Sequence, residues 1–195
     1  MGDLMRHLIA MTLAMALGAA PAYAALAVGQ AAPDFKAPAS MGGKVFDFSL
    51  ASALKKGPVV LYFYPAAFTK GCTVEAHDFA DAVDRFKAMN ATVIGVSYDS
   101  IDTLNKFSVS ECRSKFPVAS DADQKIMKAY DAVLAKKPEW SDRTSYVISP
   151  EGKVIFTYTN LDPSNHVALT MQAVKDWHDT HKGKHHASAK QAAAQ

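Results

Sequence analysis

Cysteine is scarce. Cys72 and Cys112 are the only two in a chain of 195 residues, too few for a disulfide scaffold and at no spacing suited to a zinc site. They are either inert thiols or a reactive pair. An excess of one charge is also missing: 21 Lys and Arg against 19 Asp and Glu leave a formal net of +2, which offers no basic face for nucleic acid. Glycine and proline, at 10 and 9 residues, are too few for a collagen-like chain. There is no Gly-x-Gly-x-x-Gly, no phosphate-binding loop, no Gly-x-Ser-x-Gly and no His-Glu-x-x-His, so those catalytic frames are absent. What remains is a composition 49% hydrophobic, 21% charged and 10% aromatic, enough apolar material for one substantial core and the wrong mixture for disorder. At this length one domain with tails is expected, and two full enzymatic domains do not fit.

The first 24 residues read as separate from the fold. Arg6 and His7 precede an apolar run, Leu8 to Ala19, that closes in Ala22-Tyr23-Ala24, a small-x-small cleavage pattern. The run is too short to anchor in a bilayer. With no polar face, it is also a poor candidate for a buried helix. A secretory signal peptide cleaved near Ala24 is expected, with export to the periplasm. Thiols there are not kept reduced by default, so cysteine chemistry needs a dedicated reductant. At the other end, residues 180–195 carry nothing apolar larger than alanine and are expected to form a disordered tail rich in Lys, His and Ala. His178, His181, His185 and His186 lack a rigid frame for a metal and read as a solvated end. Between these ends, residues 25–179 hold 17 Lys and Arg against 18 Asp and Glu. The folded body is nearly neutral.

Within that body two apolar runs, Val59 to Tyr64 and Thr92 to Tyr98, suit central strands buried on both faces. The segment between them is helical in period: Cys72, Ala76, Phe79, Val83 and Phe86 recur at spacings of four and three, while Asp78, Asp81, Asp84 and Lys87 take the other side. Ile101 to Arg113 and Asp123 to Leu134 read as further helices, joined by an extended link from Phe116 to Ala119. Thr144 to Ser149 and Lys153 to Thr159 form a hairpin about Pro150-Glu151-Gly152, and Ser164 to His178 closes the chain as an amphipathic helix. The order β, βαβ, α, α, ββ, α predicts an α/β fold, a central mixed sheet with helices on both faces.

Chemistry concentrates where the first of these strands enters its helix. The run from Tyr62 to Thr73 turns at Pro65 and leaves the Cys72 thiol in the first turn of the helix, among unpaired amides that favour thiolate over thiol. Thr69, three residues earlier, can set its hydroxyl beside the sulfur, as acceptor from an incoming O–H or as donor to the thiolate. The plainer reading of Cys72 is a small core hydrophobe, since it lies on the apolar face.

Pro65, Thr69 and Cys72 match the Pro-x-x-x-Thr-x-x-Cys signature of peroxiredoxins. Phe63-Tyr64-Pro65 and Gly71-Cys72-Thr73-x-Glu75 most resemble the peroxiredoxin Q, or bacterioferritin-comigratory-protein, subfamily. The similarity runs from Gly29 to Trp177 and takes in Pro33-Asp34-Phe35, Gly95-Val96-Ser97, Ser120-Asp121 and Arg143 ahead of Tyr146-Val147-Ile148. It implies a thioredoxin-like fold, three-layered α/β/α, and thiol-dependent reduction of hydrogen peroxide and organic hydroperoxides without metal, flavin or haem. By this resemblance Cys72 is the peroxidatic nucleophile, passing through a sulfenic acid. Thr69 orients the peroxide and Pro65 shields the pocket from water. Arg143 supplies permanent positive charge to the sulfur and the leaving oxygen, and Glu75 positions that arginine. The implied partners are peroxide substrates and an exported thioredoxin-like or glutaredoxin-like reductant, with no nucleic acid and no stable membrane association. A monomer or weak dimer is expected.

The sequence also departs from the commonest subfamily pattern. The resolving cysteine that many members carry five residues after the first is His77 here, which reads as solvated. Cys112, 40 residues on, near the end of the helix after the second core strand, is the substitute. It would resolve the sulfenic acid through an intramolecular disulfide. Ala66-Ala67-Phe68 replaces a more polar run. Two rival functions stand beside this one: a thioredoxin-like dithiol oxidoreductase, whose Cys-x-x-Cys frame is half empty because Thr69 holds its first position, and a redox-inert thioredoxin-fold binding module.

Overall fold

A hairpin that the sequence reading leaves undivided opens the fold. Strands β1 (Lys36–Met41) and β2 (Lys44–Ser49) pair antiparallel about Gly42 and Gly43, both at positive φ as a tight two-residue turn requires. A short helix, α1 (Leu50–Leu54), follows, capped by the Ser49 hydroxyl. Then come β3 (Val59–Phe63), α2 (Lys70–Ala88), β4 (Thr92–Ser97), α3 (Ile101–Ser110), β5 (Val118–Ser120), α4 (Lys125–Ala129), β6 (Thr144–Ile148), β7 (Val154–Thr159) and α5 (His166–Ala192). The computed structural model describes residues 25–192, with side-chain surroundings as far as His181. The expected signal peptide and the last three residues of the expected tail lie outside the described residues.

The seven strands form one sheet in the order β2-β1-β5-β4-β3-β6-β7. β3, β4 and β5 run parallel, and the flanking strands antiparallel, so the sheet is mixed. The alternation of β3 divides the core in two. Val59, Leu61 and Phe63 pack with α1 and α4 on one face. Val60 and Tyr62 pack with α2, α3 and α5 on the other. This is the three-layer α/β/α arrangement of the thioredoxin fold. All five residues of β3 are buried, as expected of an apolar run with no polar alternate positions. The register sets Phe63 beside Thr144, so the C-terminal end of β3 and the N-terminal start of β6 share one edge of the sheet. The functional groups gather at that edge.

Three boundaries differ from the sequence expectation. The helix expected from Asp123 to Leu134 is only α4, because Gln124 and Asp131 take positive φ and the Ala132 amide closes back on the Met127 carbonyl at 2.8 Å. The Asp121 carboxylate caps it, accepting from the Ile126 and Met127 amides at 2.9 and 2.8 Å. The helix expected to reach Arg113 ends at Ser110, since Arg113 and Ser114 are left-handed, and Cys112 therefore sits in the turn beyond α3. The closing helix begins at His166 and continues to Ala192 where a disordered tail is expected. Its extension runs through Ala, Lys and Gln, which are strong helix formers.

Candidate active site

Proline ends the pairing of β3. The Tyr64 amide still reaches the Val96 carbonyl at 3.1 Å, but Pro65 has no N–H to continue the ladder. The loop that follows is tied from the neighbouring strand: the Ala67 amide donates to Asp99 Oδ2 at 2.7 Å, and the same oxygen accepts from Ser97 Oγ at 2.8 Å. Phe68 takes φ 63 and lies edge-on to Phe107, which stacks on Tyr64. Thr69 is the N-cap of α2, yet its hydroxyl makes no cap bond. It donates instead to the Ala66 carbonyl at 3.0 Å. With its proton committed there, this hydroxyl is left as an acceptor toward a third group.

Cys72 is the third residue of α2, so its amide is one of the first four that a helix leaves without an internal partner. Its side chain is buried, 1% exposed, and the sulfur receives Arg143 Nη2 at 3.4 Å. Gly71 makes that approach possible: a Cβ there would stand 3.0 Å from the same nitrogen. The rest of the guanidinium is held on two sides. Nη1 donates to Glu75 Oε2, and Nε donates to the Leu161 carbonyl at 2.9 Å.

Glu75 is fully buried on the helical turn after Cys72, so α2 turns both groups toward Arg143. Its second oxygen, Oε1, has no hydrogen bond among the described residues and lies 3.6 Å from His166 Nδ1. Burial therefore wins over the pull of Arg143 and pushes the Glu75 carboxyl up to about 8. His166, also fully buried, is pushed by burial the other way, down to about 4, and is neutral at physiological pH. Burial opposes the charge of Arg143 as well, but the field of Glu75 and of Cys72 holds its guanidinium above the ordinary value.

Cys112 lies apart from this group. It is buried and free, not near enough to Cys72 for a disulfide, and burial pushes its thiol well above the ordinary range. The turn that carries it is fastened to α2 by His77 on Glu111 at 2.9 Å and by Arg113 on Asp81 at 2.5 Å. His77, expected to be solvated, is half-buried in that bridge. The structure thus gathers Thr69, Cys72, Glu75 and Arg143 at the edge behind buried Pro65, and leaves Cys112 outside. Asp99, Ser145 and His166 belong to the same constellation, and nothing in the sequence singles them out. Asp99 follows an expected strand as an unremarkable turn residue, and His166 reads as one more helix-start residue.

Residues 28–157 match the AhpC/TSA family. The peroxiredoxin Bcp of Bacillus subtilis is 34% identical over 154 residues, covering 76% of this chain and 95% of that one. The chloroplastic peroxiredoxin Q of Populus jackii is 32% identical over 154 residues, covering 78% and 70%. Among solved structures, the peroxidoxin BcpB of Mycobacterium tuberculosis superposes with a TM-score of 0.69 at 30% identity, covering 76% of this chain and 96% of its own. Peroxiredoxin Q of Xanthomonas campestris gives 0.64 at 28% identity, covering 72% and 90%.

The buried carboxyl makes a pH prediction. Glu75 gives up its proton near 4.5 when unfolded and near 8 when folded, so across that window the native state binds more protons and stability falls as pH rises. The parent chain should lose stability to urea between those limits relative to Glu75→Gln, which cannot ionise. Parallel stability curves for the two proteins would show that Glu75 is an ordinary carboxylate.

Proposed function

The chain belongs to the AhpC/TSA family and is a peroxiredoxin, a thiol peroxidase of the Bcp and peroxiredoxin Q kind, and on that premise we propose how its residues divide the reaction. The observation that carries the proposal is the contact of a buried guanidinium with the sulfur at the start of α2. Cys72 attacks as thiolate on one peroxide oxygen. The S–O bond forms as the O–O bond breaks, leaving a sulfenic acid on Cys72 and an alkoxide or hydroxide that takes up a proton. Thr69 Oγ1, its own proton given to Ala66, accepts the O–H of the incoming peroxide. Arg143 Nη2 faces both the sulfur and the place where charge grows on the leaving oxygen. Pro65, buried at the strand end, keeps water out. Glu75 fixes the guanidinium by its other arm.

Cys112 then resolves the sulfenic acid: its thiolate attacks the Cys72 sulfur, the S–S bond forms as the S–O bond breaks, and the departing hydroxide takes up the proton given up by the Cys112 thiol to leave as water. Because both thiols are buried and apart, the first turn of α2 and the turn after α3 must open, breaking the His77 and Arg113 bridges. Opening does two things at once. It brings the sulfurs together, and it returns Cys112 to water, where its thiol ionises more readily than in the core. Recycling falls to a thioredoxin-like or glutaredoxin-like reductant, exported with this chain if the first 24 residues direct export.

Stopped-flow kinetics and mass mapping test the division of labour. Cys72→Ser should abolish peroxide consumption. Cys112→Ser should consume one equivalent and stop as the Cys72 sulfenic acid. In the oxidised parent, amide exchange should rise around residues 69–77 and 109–115. Undiminished turnover in Cys112→Ser with the same reductant would make this a one-cysteine enzyme. Export is read by the intact mass of protein from its native cell. Loss of residues 1–24 is expected, and a retained Met1 in the membrane pellet would contradict it.

A further inference from the structure

His166 has no part in the reaction just described, yet it lies against Glu75 and against Asn160, the neighbour of Leu161, on the two sides that hold Arg143. Its Nε2 is 2.8 Å from the Asn160 carbonyl, which can only accept, so the ring proton is on that nitrogen. Nδ1 is then the acceptor of the Ser145 hydroxyl at 2.8 Å, and it faces the unbonded Oε1 of Glu75 at 3.6 Å. Tyr158 packs edge-on against the ring from β7. The charged and titratable groups around the imidazole are Glu75 from α2, Arg143 ahead of β6, Tyr158 from β7 and Asp162 from the turn before α5.

We infer that His166 is a positioning residue, which sets the aim of Arg143 on Cys72 from both sides. This deepens the peroxidase reading and rests on it. On one side the imidazole N–H holds Asn160, whose amide donates to the Arg143 carbonyl at 3.1 Å and whose neighbour Leu161 accepts from Arg143 Nε. On the other side the ring packs behind Glu75, 3.6 Å from its Oε1, and limits how far the carboxyl group that holds Nη1 can turn away. The Arg143 guanidinium has three donor nitrogens, and two of them are fixed by groups that His166 supports. The third points at the sulfur. A neutral ring is required for this arrangement, because a second ring proton would compete with the Ser145 hydroxyl at Nδ1.

The test reads Cys72 directly. The rate at which iodoacetamide alkylates Cys72 is measured across pH by peptide mass, beside the stopped-flow rate of its first oxidation by hydrogen peroxide. His166→Leu fills the space without an N–H. Its alkylation profile should move toward higher pH by about one unit and its oxidation rate should drop roughly tenfold at neutral pH. His166→Gln, whose side-chain amide can donate to the Asn160 carbonyl, should recover most of both. If His166→Leu fails to fold, Ser145→Ala, which frees Nδ1, should shift the same profile by a smaller amount in the same direction. Folded variants with a lowered melting temperature and an unmoved alkylation profile would reduce His166 to a packing residue and overturn the inference. Alkylation needs no peroxide, so a parent chain that failed to consume peroxide would sink the peroxidase reading without deciding the role of His166.

Discussion

A guanidinium on a residue only 4% exposed can keep its charge only if the charge is answered inside the protein, and the organisation of this site follows from how Arg143 is answered. One arm goes to Glu75, one to the Leu161 carbonyl and one to Cys72. These partners come from α2 and from the 160–161 turn, while the arginine itself precedes β6, so the arrangement exists only when all three are assembled. The helix contributes its unpaired first amides at the sulfur, and Gly71 leaves the gap through which the guanidinium comes close. Replacing the guanidinium by a lysine point charge at this place would forfeit the fork that reaches two partners from one carbon.

Parts of this arrangement are legible in the sequence and parts are not, for physical reasons. The apolar runs of β3 and β4 and the period of Cys72, Ala76, Phe79, Val83 and Phe86 are local signals, and the structure buries all five helix positions. The β1 and β2 hairpin also leaves a local signal, Gly42-Gly43 between extended runs, which stands out less than the apolar runs because β2 is largely exposed. The shortness of α4 has no sequence marker, since residues 124 and 131 are left-handed without being glycine. Least legible is the constellation itself. Arg143 and Glu75 are 68 positions apart, and His166 meets Ser145 across 21. No pattern in one sequence marks such pairs. The resemblance on Pro65, Thr69 and Cys72 points to Arg143 and Glu75, but it has nothing to say of His166.

The two cysteines divide the problem of reactivity between them. Both lie in one buried apolar cluster, but Cys72 sits at a helix start with a guanidinium at its sulfur, whereas Cys112 lies outside that group and burial pushes its thiol up. In the proposed cycle a reduced chain holds one thiol ready and one withheld, and oxidation of the first is followed by local opening that releases the second. The partly exposed side-chain contacts that fasten the Cys112 turn to α2 are individually weak, about 0 to 1 kcal/mol each. Such bonds let the turn open without unfolding the sheet beneath it.

The Arg143 to Cys72 contact is measured most directly by the second-order rate of Cys72 oxidation in Arg143→Ala. Glu75, already inclined by burial to keep its proton, leaves no uncompensated charge behind when the arginine is removed, so the variant should fold. Its first oxidation by hydrogen peroxide should slow by about 10²- to 10³-fold, the scale on which a single aligned donor supports a developing anion. A folded Arg143→Ala protein that oxidises Cys72 as fast as the parent would contradict the role given to this guanidinium.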